Sequence, residues 1–519
     1  MTAPSGVTAA PRGNAPFDTA GITRDERGIA HYAGLPASLV ELLRAAVERD
    51  PDAEALVEVG RGDEGRLSYR QLWDGAARVA GGLVDAGVAP GDRVANLLPA
   101  GNDWVLGFLG TQLAGGVAVP VNTRFAQPEI DYVLGDSGAA VVLRPGEPLP
   151  EGPPHAVEHL RHDDLAAIFY TSGTTGFPKG AMTTQENFLA NIETALRVID
   201  MDRSDGAAQR GLISVPLFHV TGCNSQLLVH LAVGGATVVL PTFNVQDFLR
   251  TVVDERINLL TTVPAIYALA IAQPNFGDFD VSGVSRLSYG GAPMAPELVR
   301  RITERFPNAR VGNGFGLTET ASISTYLPHE WAAEHADSVG FAAPVVDLAI
   351  DTLTRPDGVG ELLIRGPNVV AGYWNKPDAT RDTFVDGWLH SGDLARIDSE
   401  GLVYIVDRAK DMINRGGENV YSVEVENALA GAPGVADAAV VGVPDPVMGE
   451  KVGAVLVAAP GGSVDPSAVL DYLGDRLADF KIPQFVVVRD EPLPRNPGGK
   501  ILKRQLREQV EWGKPLRGR

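Results

Sequence analysis

Short apolar stretches typical of strands alternate with amphipathic stretches typical of helices along most of this chain. The first such run comprises a strand and helix at residues 67–87, a strand at 92–98, a helix at 104–114 and a buried strand at 117–121. The same rhythm returns at residues 186–198, 211–216 and 236–240. Strands that alternate with helices predict an α/β fold whose sheets are largely buried.

The pattern changes beyond about residue 360, where short strands bounded by turns follow one another, as at residues 360–366 (GELLIRG) and 401–406 (GLVYIV). A chain of 519 residues is also too long for one compact core. We therefore predict a large N-terminal domain over residues 31–409, built of α/β layers with a β-rich subdomain. A small mobile α+β domain is expected over residues 410–519, and residues 1–30, rich in Ala, Pro, Gly and Thr, are expected to form a disordered leader.

Composition excludes several classes of function. The formal net charge of −21 makes general nucleic-acid binding a poor hypothesis. The single cysteine, Cys223, forms no internal disulfide and no multi-cysteine metal cluster, and it is expected to be a packing residue. The first residues lack the pattern of a signal peptide, and the longest apolar run, residues 105–121, is too short and interrupted for a membrane span. A cytoplasmic enzyme without an integral membrane segment is the expectation.

The segment most indicative of chemistry is the loop at residues 170–180 (YTSGTTGFPKG). Its glycines let backbone amides turn toward a phosphate, its hydroxyls add donors and its lysine adds charge. The spacing is not that of a Walker A loop. The loop therefore indicates phosphate binding of another kind.

This loop resembles the signature of the adenylate-forming superfamily, which comprises acyl- and aryl-CoA synthetases, adenylation domains and beetle luciferases. The other motifs of that superfamily follow in order at residues 215–222 (VPLFHVTG), 289–293 (YGGAP), 313–320 (NGFGLTET), 390–394 (HSGDL), 407–421 (DRAKDMINRGGENVY) and 494–500 (PRNPGGK). The match runs from about residue 67 to residue 507. It implies an acid–CoA ligase that uses ATP and Mg²⁺ to make an acyl-adenylate and then transfers the acyl group to coenzyme A.

The resemblance implies roles for residues that contact the nucleotide and its metal. Thr318 would contact the α-phosphate, and Glu319 would hold Mg²⁺, because a carboxylate suits a hard cation. Lys179 would meet the departing phosphates. Asp393 and Arg408 would bind the ribose hydroxyls. Other nucleotide-binding positions are Thr171, Ser172, Gly173, Thr174, Thr175, Gly176, Gly290, Gly291, Ala292, Asn313, Gly314, Phe315 and Gly316.

The C-terminal motifs imply that the small domain moves between two half-reactions. Lys500 would contact the carboxylate and the α-phosphate during adenylation, because a lysine is a compact, flexible point charge. Lys410 is the expected hinge. Gly416 and Gly417 would then let the pantetheine arm of CoA pass close to the backbone.

The acyl pocket is expected beside His219, which would line or gate it without acid–base chemistry, and at Val220, Thr221 and Gly222. Amino-acid-activating relatives usually carry Asp at the position of His219, so amino-acid activation is disfavoured. The expected pocket positions are small or neutral, which favours a neutral, hydrophobic acid; fatty, aromatic and terpenoid acids stay open. An acyl-AMP ligase with another acceptor, a non-catalytic nucleotide-binding relative, and a monomeric or homodimeric state also stay open.

Overall fold

A computed structural model of the protein describes residues 7–10, 14–171, 178–292, 294, 296–351, 358–416, 418–459, 461–495 and 500–517. The strands are β1 Val7–Ala9, β2 Ile22–Arg24, β3 Ala30–Tyr32, β4 Glu54–Glu58, β5 Arg66–Ser68, β6 Arg93–Asn96, β7 Val117–Pro120, β8 Val141–Leu143, β9 Leu165–Thr171, β10 Lys179–Thr184, β11 Arg210–Ile213, β12 Ala236–Val239, β13 Leu259–Thr262, β14 Arg286–Gly290, β15 Arg310–Phe315, β16 Thr325–Leu327, β17 Phe341–Ala342, β18 Asp347–Asp351, β19 Gly360–Arg365, β20 Phe384–Val385, β21 Trp388–Ile397, β22 Val403–Arg408, β23 Ile413–Arg415, β24 Glu418–Val420, β25 Val435–Asp445, β26 Gly449–Ala458 and β27 Phe485–Arg489. The helices are α1 Leu39–Arg49, α2 Tyr69–Asp85, α3 Asn102–Leu113, α4 Gln127–Ser137, α5 Gln185–Val198, α6 Val220–Gly222, α7 Leu228–Val233, α8 Val245–Asp254, α9 Pro264–Ile271, α10 Pro296–Arg305, α11 His329–Ala332, α12 Pro377–Thr383, α13 Ser422–Leu429, α14 Pro466–Gly474 and α15 Lys503–Gln509.

The largest sheet of the described chain has the strand order β17-β16-β15-β14-β13-β11-β12-β4-β5. Its central strands, from β15 to β4, run parallel. Both faces are covered, because Leu212 and Ile213, adjacent in β11, belong to apolar cores on opposite sides of the sheet. This sheet confirms the predicted α/β layers.

A second sheet has the order β10-β9-β7-β6-β8 and is parallel except for the β9–β10 pair. Helices α2 and α3 share an apolar core with both sheets. Helix α2 lies within the strand-and-helix stretch predicted at residues 67–87, and Ser68 and Gln71 form a reciprocal capping box at its N-terminus. The antiparallel β9–β10 pair flanks the phosphate-binding loop predicted from the sequence.

A third sheet, β1-β18-β19-β21-β20 with β22 paired to β21, forms the predicted β-rich subdomain. Its edge strand β1 comes from the predicted leader and pairs with β18, and β2 pairs with β3. Phe17 and Ala30 are buried. The expectation of a disordered leader therefore fails for these described residues, because edge pairing and apolar contacts hold them to the large domain.

The C-terminal part has its own mixed sheet, β24-β23-β26-β25 with β27 paired to β26. Helices α13 and α14 pack on it around a separate apolar core. This confirms the predicted small domain of mixed helices and strands. The chain leaves one sheet at Arg408 and enters the next at Ile413; the boundary at residue 410 stays a prediction.

Candidate functional site

A cavity of about 1530 Å³ opens at the carboxyl ends of four parallel strands of the largest sheet. Residues directly after or at the ends of β11, β13, β14 and β15 line it, namely Ser214, Val263, Gly291 and Gly316. The carboxyl ends of parallel strands are where open α/β sheets place ligands. The small domain contributes further lining residues from the segment 500–509.

A tight turn after β15 presents Thr318 and Glu319 to the cavity. Gly316 is required there, because a Cβ on it would lie 1.3 Å from the carbonyl oxygen of Ser322. Tyr373 donates a hydrogen bond from its Oη to Oε1 of Glu319 at 2.7 Å. Burial and the neighbouring Glu319 raise the pKa of Tyr373, so the phenol keeps its proton and orients the carboxylate.

Thr171 and Lys179 face each other across the β9–β10 pair, and both line the cavity. The ammonium of Lys179 lies 5.0 Å from the centre of the Tyr373 ring, within the range of a cation–π contact. Lys179 and Glu319 therefore both contact the same tyrosine. The predicted phosphate-binding positions in the loop between Thr171 and Lys179, residues 172–176, lie outside the described residues.

Asp393 and Arg408 are cross-strand partners in β21 and β22. Nε of Arg408 lies 2.7 Å from Oδ1 of Asp393, whereas Oδ2 is buried and has no hydrogen-bond partner among the described residues. Burial raises the pKa of Asp393, and the guanidinium of Arg408 opposes that shift. Asp393 lies within β21, directly after Gly392, whose φ of +71° turns the chain. An unused buried carboxylate oxygen can accept a ligand hydroxyl.

Lys500, in the small domain, adds the positive charge of its ammonium to that of the Arg408 guanidinium near Asp393. Its ammonium is electrostatically coupled to both, and the residue lines the cavity. Burial, reinforced by Arg408, lowers the pKa of Lys500 from 10.5 to about 8. A cation with a lowered pKa in a cleft is typical of functional sites.

Glu361 and His390 also line the site, although sequence reasoning did not assign them. Oε1 of Glu361 accepts a hydrogen bond from the backbone N–H of Gly392 at 2.9 Å, and Oε2 lies 2.8 Å from Nδ1 of His390. The carboxylate thus fixes the turn that carries Asp393. Glu361 lies about 30 residues upstream in another strand, so only the β19–β21 pairing reveals the contact.

The lining contributed by α5, α7, β13 and α9 is apolar or carries hydroxyl groups: Ala195, Val229, Leu259, Thr261, Ala265, Ile266 and Leu269. His219, beside this wall, is half-buried with its Nε2 atom enclosed, and desolvation together with Arg124 lowers its pKa to about 4. Its imidazole is therefore neutral at neutral pH. Arg124 is a cation of the lining that the sequence analysis did not assign. Cys223 is fully buried, as expected of a packing residue.

Most of the predicted site residues meet at this one cavity. Those in its lining are Thr171, Lys179, His219, Val220, Thr221, Gly290, Gly291, Gly314, Phe315, Gly316, Thr318, Glu319, Arg408, Lys410 and Lys500. Five described positions are not in the lining: Gly222, Ala292, Asn313, Asp393 and Gly416. Gly222 packs against Pro216, Asn313 donates to the carbonyl of Ser338, and Gly416 packs against Met448. Gly417 lies outside the described residues.

No described helix is both long enough and apolar enough to pass through a membrane. No group of three or more His, Cys, Asp or Glu residues within the described part is arranged to hold a metal ion by itself.

The family model for AMP-binding enzymes matches residues 43–159 and 144–374, and the model for the C-terminal domain of AMP-binding enzymes matches residues 424–500. The chain belongs to the AMP-binding enzyme family. Within the adenylate-forming superfamily this AMP-binding enzyme lies on the acyl-CoA synthetase branch. The resemblance inferred from the motifs is confirmed.

Three relatives illustrate the match. This AMP-binding enzyme is 37% identical over 502 residues to the long-chain-fatty-acid–CoA ligase FadD13 of Mycobacterium tuberculosis, covering 90% of this chain and 97% of the relative. It is 38% identical over 465 residues to a feruloyl-CoA synthase of an Amycolatopsis species, covering 85% of this chain and 93% of the relative. The solved structure of o-succinylbenzoate CoA synthetase from Bacillus subtilis with its acyl-adenylate intermediate superposes with a TM-score of 0.80 at 29% identity, covering 91% of this chain and 99% of the other.

Proposed function

We propose that this AMP-binding enzyme is an acid–CoA ligase that works in two half-reactions. In the first, a carboxylate oxygen of the acid attacks the α-phosphorus of ATP, and pyrophosphate leaves. In the second, the sulfur of CoA attacks the acyl carbon, and AMP leaves. The observation that carries the proposal is the meeting of Lys500, Arg408 and Glu319, from three separate segments, at one cavity.

The nucleotide would lie with its ribose at Asp393 and Arg408. The partnerless Oδ2 of Asp393 offers an acceptor to a ribose hydroxyl, and Arg408 holds the other oxygen in place. Thr318, in the turn after β15, would donate to the α-phosphate. These groups fix the α-phosphorus between the acid and the departing phosphates, which is the positioning that phosphoryl-type transfers require.

Glu319 would hold Mg²⁺ together with phosphate oxygens of ATP. The residues fit this ion, because magnesium typically uses one or two carboxylates and takes its remaining ligands from phosphates and water. The hydrogen bond from the Tyr373 hydroxyl occupies one oxygen of the Glu319 carboxylate and orients that carboxylate toward the site. Bound Mg²⁺ would neutralise charge on the phosphates, and Lys179 would add a second positive charge beside them.

Lys500 would bring the acid and the nucleotide together. Both reactants are anions, and the ammonium beside Asp393 and Arg408 offsets their repulsion as the new bond forms. The lysine comes from the small domain, so adenylation would require that domain to lie as it does here.

The second half-reaction would use a different position of the small domain. Gly416, the described member of the pair expected along the CoA arm, packs against Met448 instead of lining the cavity. A rotation about Lys410, which lies between the two sheets, would withdraw Lys500 and bring Gly416 toward the acyl-adenylate. Domain alternation of this kind would let one cavity serve both reactions.

The acid would be hydrophobic. The wall formed by α5, α7, β13 and α9 carries no charge, whereas the charged lining residues come from other elements. Burial of apolar area against such a wall stabilises a hydrophobic chain or ring by about 25 cal/mol per Å². Two of the three relatives are named for acids with an apolar chain or ring, a long-chain fatty acid and ferulic acid, whereas the third is named for o-succinylbenzoate.

The test is pyrophosphate release with ATP, Mg²⁺ and a panel of fatty, aromatic and polycyclic acids, each with and without CoA, together with mass detection of the products. The expected result is an acyl-CoA with at least one hydrophobic acid. An acyl-AMP that accumulates and is never transferred to CoA would move the protein to ligases with another acceptor. If no acid of the panel led to pyrophosphate release, the proposal would be contradicted.

A further inference from the structure

A buried chain of polar contacts joins the two domains close to the predicted hinge, and one of its members, Lys503, also lines the cavity. Asp407 is the penultimate residue of β22 in the large domain, and its carboxylate accepts from the backbone N–H of Ser422 at 2.5 Å and from Ser422 Oγ at 2.8 Å. Ser422 begins α13 of the small domain. Both residues are at most 2% exposed, so the contact forms without water.

Lys503 extends this chain to the segment that carries the proposed catalytic lysine. Its Nζ donates to Oγ of Ser422 at 2.6 Å and lies 2.8 Å from Oε1 of Glu426, one turn along α13. Glu426 also accepts from the backbone N–H of Val440. Lys503 begins α15, three residues after Lys500. The four residues Asp407, Ser422, Glu426 and Lys503 are called the latch below.

The latch touches the site at both of its ends. Asp407 is adjacent to Arg408 and accepts its backbone N–H at 2.7 Å, so one end fixes the strand that carries the partner of Asp393. Lys503 fixes the first turn after Lys500 at the other end. Among the hydrogen bonds of the latch, only those between Ser422 and Asp407 cross Lys410; Lys503 acts on Asp407 across it through charge alone. Rotation about Lys410 would therefore part Asp407 from Ser422 and leave the rest intact.

We propose that Asp407, Ser422 and Lys503 are positioning residues that hold the small domain in the arrangement used for adenylation. The inference rests on the proposed function. The buried carboxylates of Asp407 and Glu426 share the ammonium of Lys503, and the hydroxyl of Ser422 links Asp407 to it. Removal of the Asp407 or the Lys503 charge leaves a buried charge without its partner, which destabilises a site that excludes water. Because the contact that crosses the hinge is a single carboxylate, it can be broken and remade without unfolding either domain.

The test separates the half-reactions in Lys503→Met, Asp407→Asn and Lys503→Arg. Acyl-AMP formation is measured in single turnovers, and transfer to CoA is measured from supplied acyl-AMP. The first two variants should slow adenylation about tenfold or more, the change expected from losing one charge-assisted hydrogen bond, and leave transfer unchanged. Lys503→Arg, which keeps the charge, should recover most of the adenylation rate.

The matched control is Lys481→Met. Lys481 forms an ion pair at 2.7 Å with Glu424, which lies on α13 as Ser422 and Glu426 do. Both Lys481 and Glu424 belong to the small domain, and neither contacts Asp407. This variant should change neither half-reaction. If Asp407→Asn and Lys503→Met slow both half-reactions equally, or if neither slows adenylation, the latch is only structural and the inference is wrong.

Hydrogen–deuterium exchange distinguishes this failure from failure of the proposed function. Asp407 lies outside the small domain, so Asp407→Asn should speed exchange of residues 500–507 relative to the wild type only if the latch holds that segment in place. Faster exchange in a protein that makes no acyl-AMP would keep the latch and reject the ligase. Unchanged exchange would reject the latch, whatever the activity.

Discussion

The lowered pKa of Lys500 predicts a specific dependence of adenylation on pH. Burial and the neighbouring Arg408 bring that pKa from 10.5 to about 8. Because the proposed role requires the protonated ammonium, activity should be nearly full at pH 7 and below, half at about pH 8, and lower still above it. A group with this pKa is about 90% protonated at pH 7 and about 10% protonated at pH 9, so the rate should fall about tenfold between them.

The quantity to measure is kcat/KM for ATP in pyrophosphate release, because it reports the pKa of essential groups in the free enzyme. Two variants isolate the lysine. Lys500→Arg keeps its charge throughout the range, so its profile should lose the decline near pH 8 even if its rate is lower. Lys500→Ala should lose activity by a factor on the order of 10² to 10³ and should lose the decline as well.

Transfer of the acyl group from supplied acyl-AMP to CoA is the internal control. That step would take place with Lys500 withdrawn, and its rate should rise with pH as the CoA thiol ionises. A wild-type adenylation profile that stays flat to pH 10 would refute the reasoning. So would a decline near pH 8 that persists unchanged in Lys500→Arg.

Three further predictions concern other parts of the site. Glu361→Gln should raise the KM for ATP about three- to tenfold with little change in kcat, because the charge that fixes the Gly392 turn is lost; ATP titration of pyrophosphate release checks this. Lys410→Pro should leave one half-reaction intact and abolish the other, since proline locks the hinge backbone; equal wild-type rates in both would exclude Lys410 as the pivot. Tyr326 and Ile199 line both the main cavity and a small neighbouring one, so Tyr326→Ala should shift the preference toward longer acids, whereas Tyr326→Phe should not; competition between acids of different length measures this.

The local pattern of the sequence predicted much of the fold. The helix at residues 69–85 lies within the amphipathic stretch predicted at residues 67–87, and the buried strand at residues 117–120 follows from its unbroken apolar run. The leader was the clearest failure. Its composition suggests disorder, but β1 adds to the edge of a sheet whose other strands lie more than 300 residues away, and no local signal encodes such pairing.

The site divides in the same way. Glu319, Asp393 and Lys500 were predicted because each lies in a short motif that resembles one of the superfamily, and their roles stay predictions. Tyr373 and Glu361 were missed because their value lies in contacts with Glu319 and Gly392, which are distant in sequence. The local sequence around a tyrosine or glutamate outside a motif does not indicate which distant residue its side chain will contact.

The sequence by itself determined the period of each element, the turn chemistry and the set of chemical groups available to the enzyme. Those properties depend on neighbouring residues and on the allowed conformations of the backbone. Only the tertiary structure decided which groups meet, how deeply they are buried and hence how their pKa values shift. Lys500 is an ordinary lysine in the sequence, and its pKa falls to about 8 because packing of the small domain removes its water and places it beside Arg408.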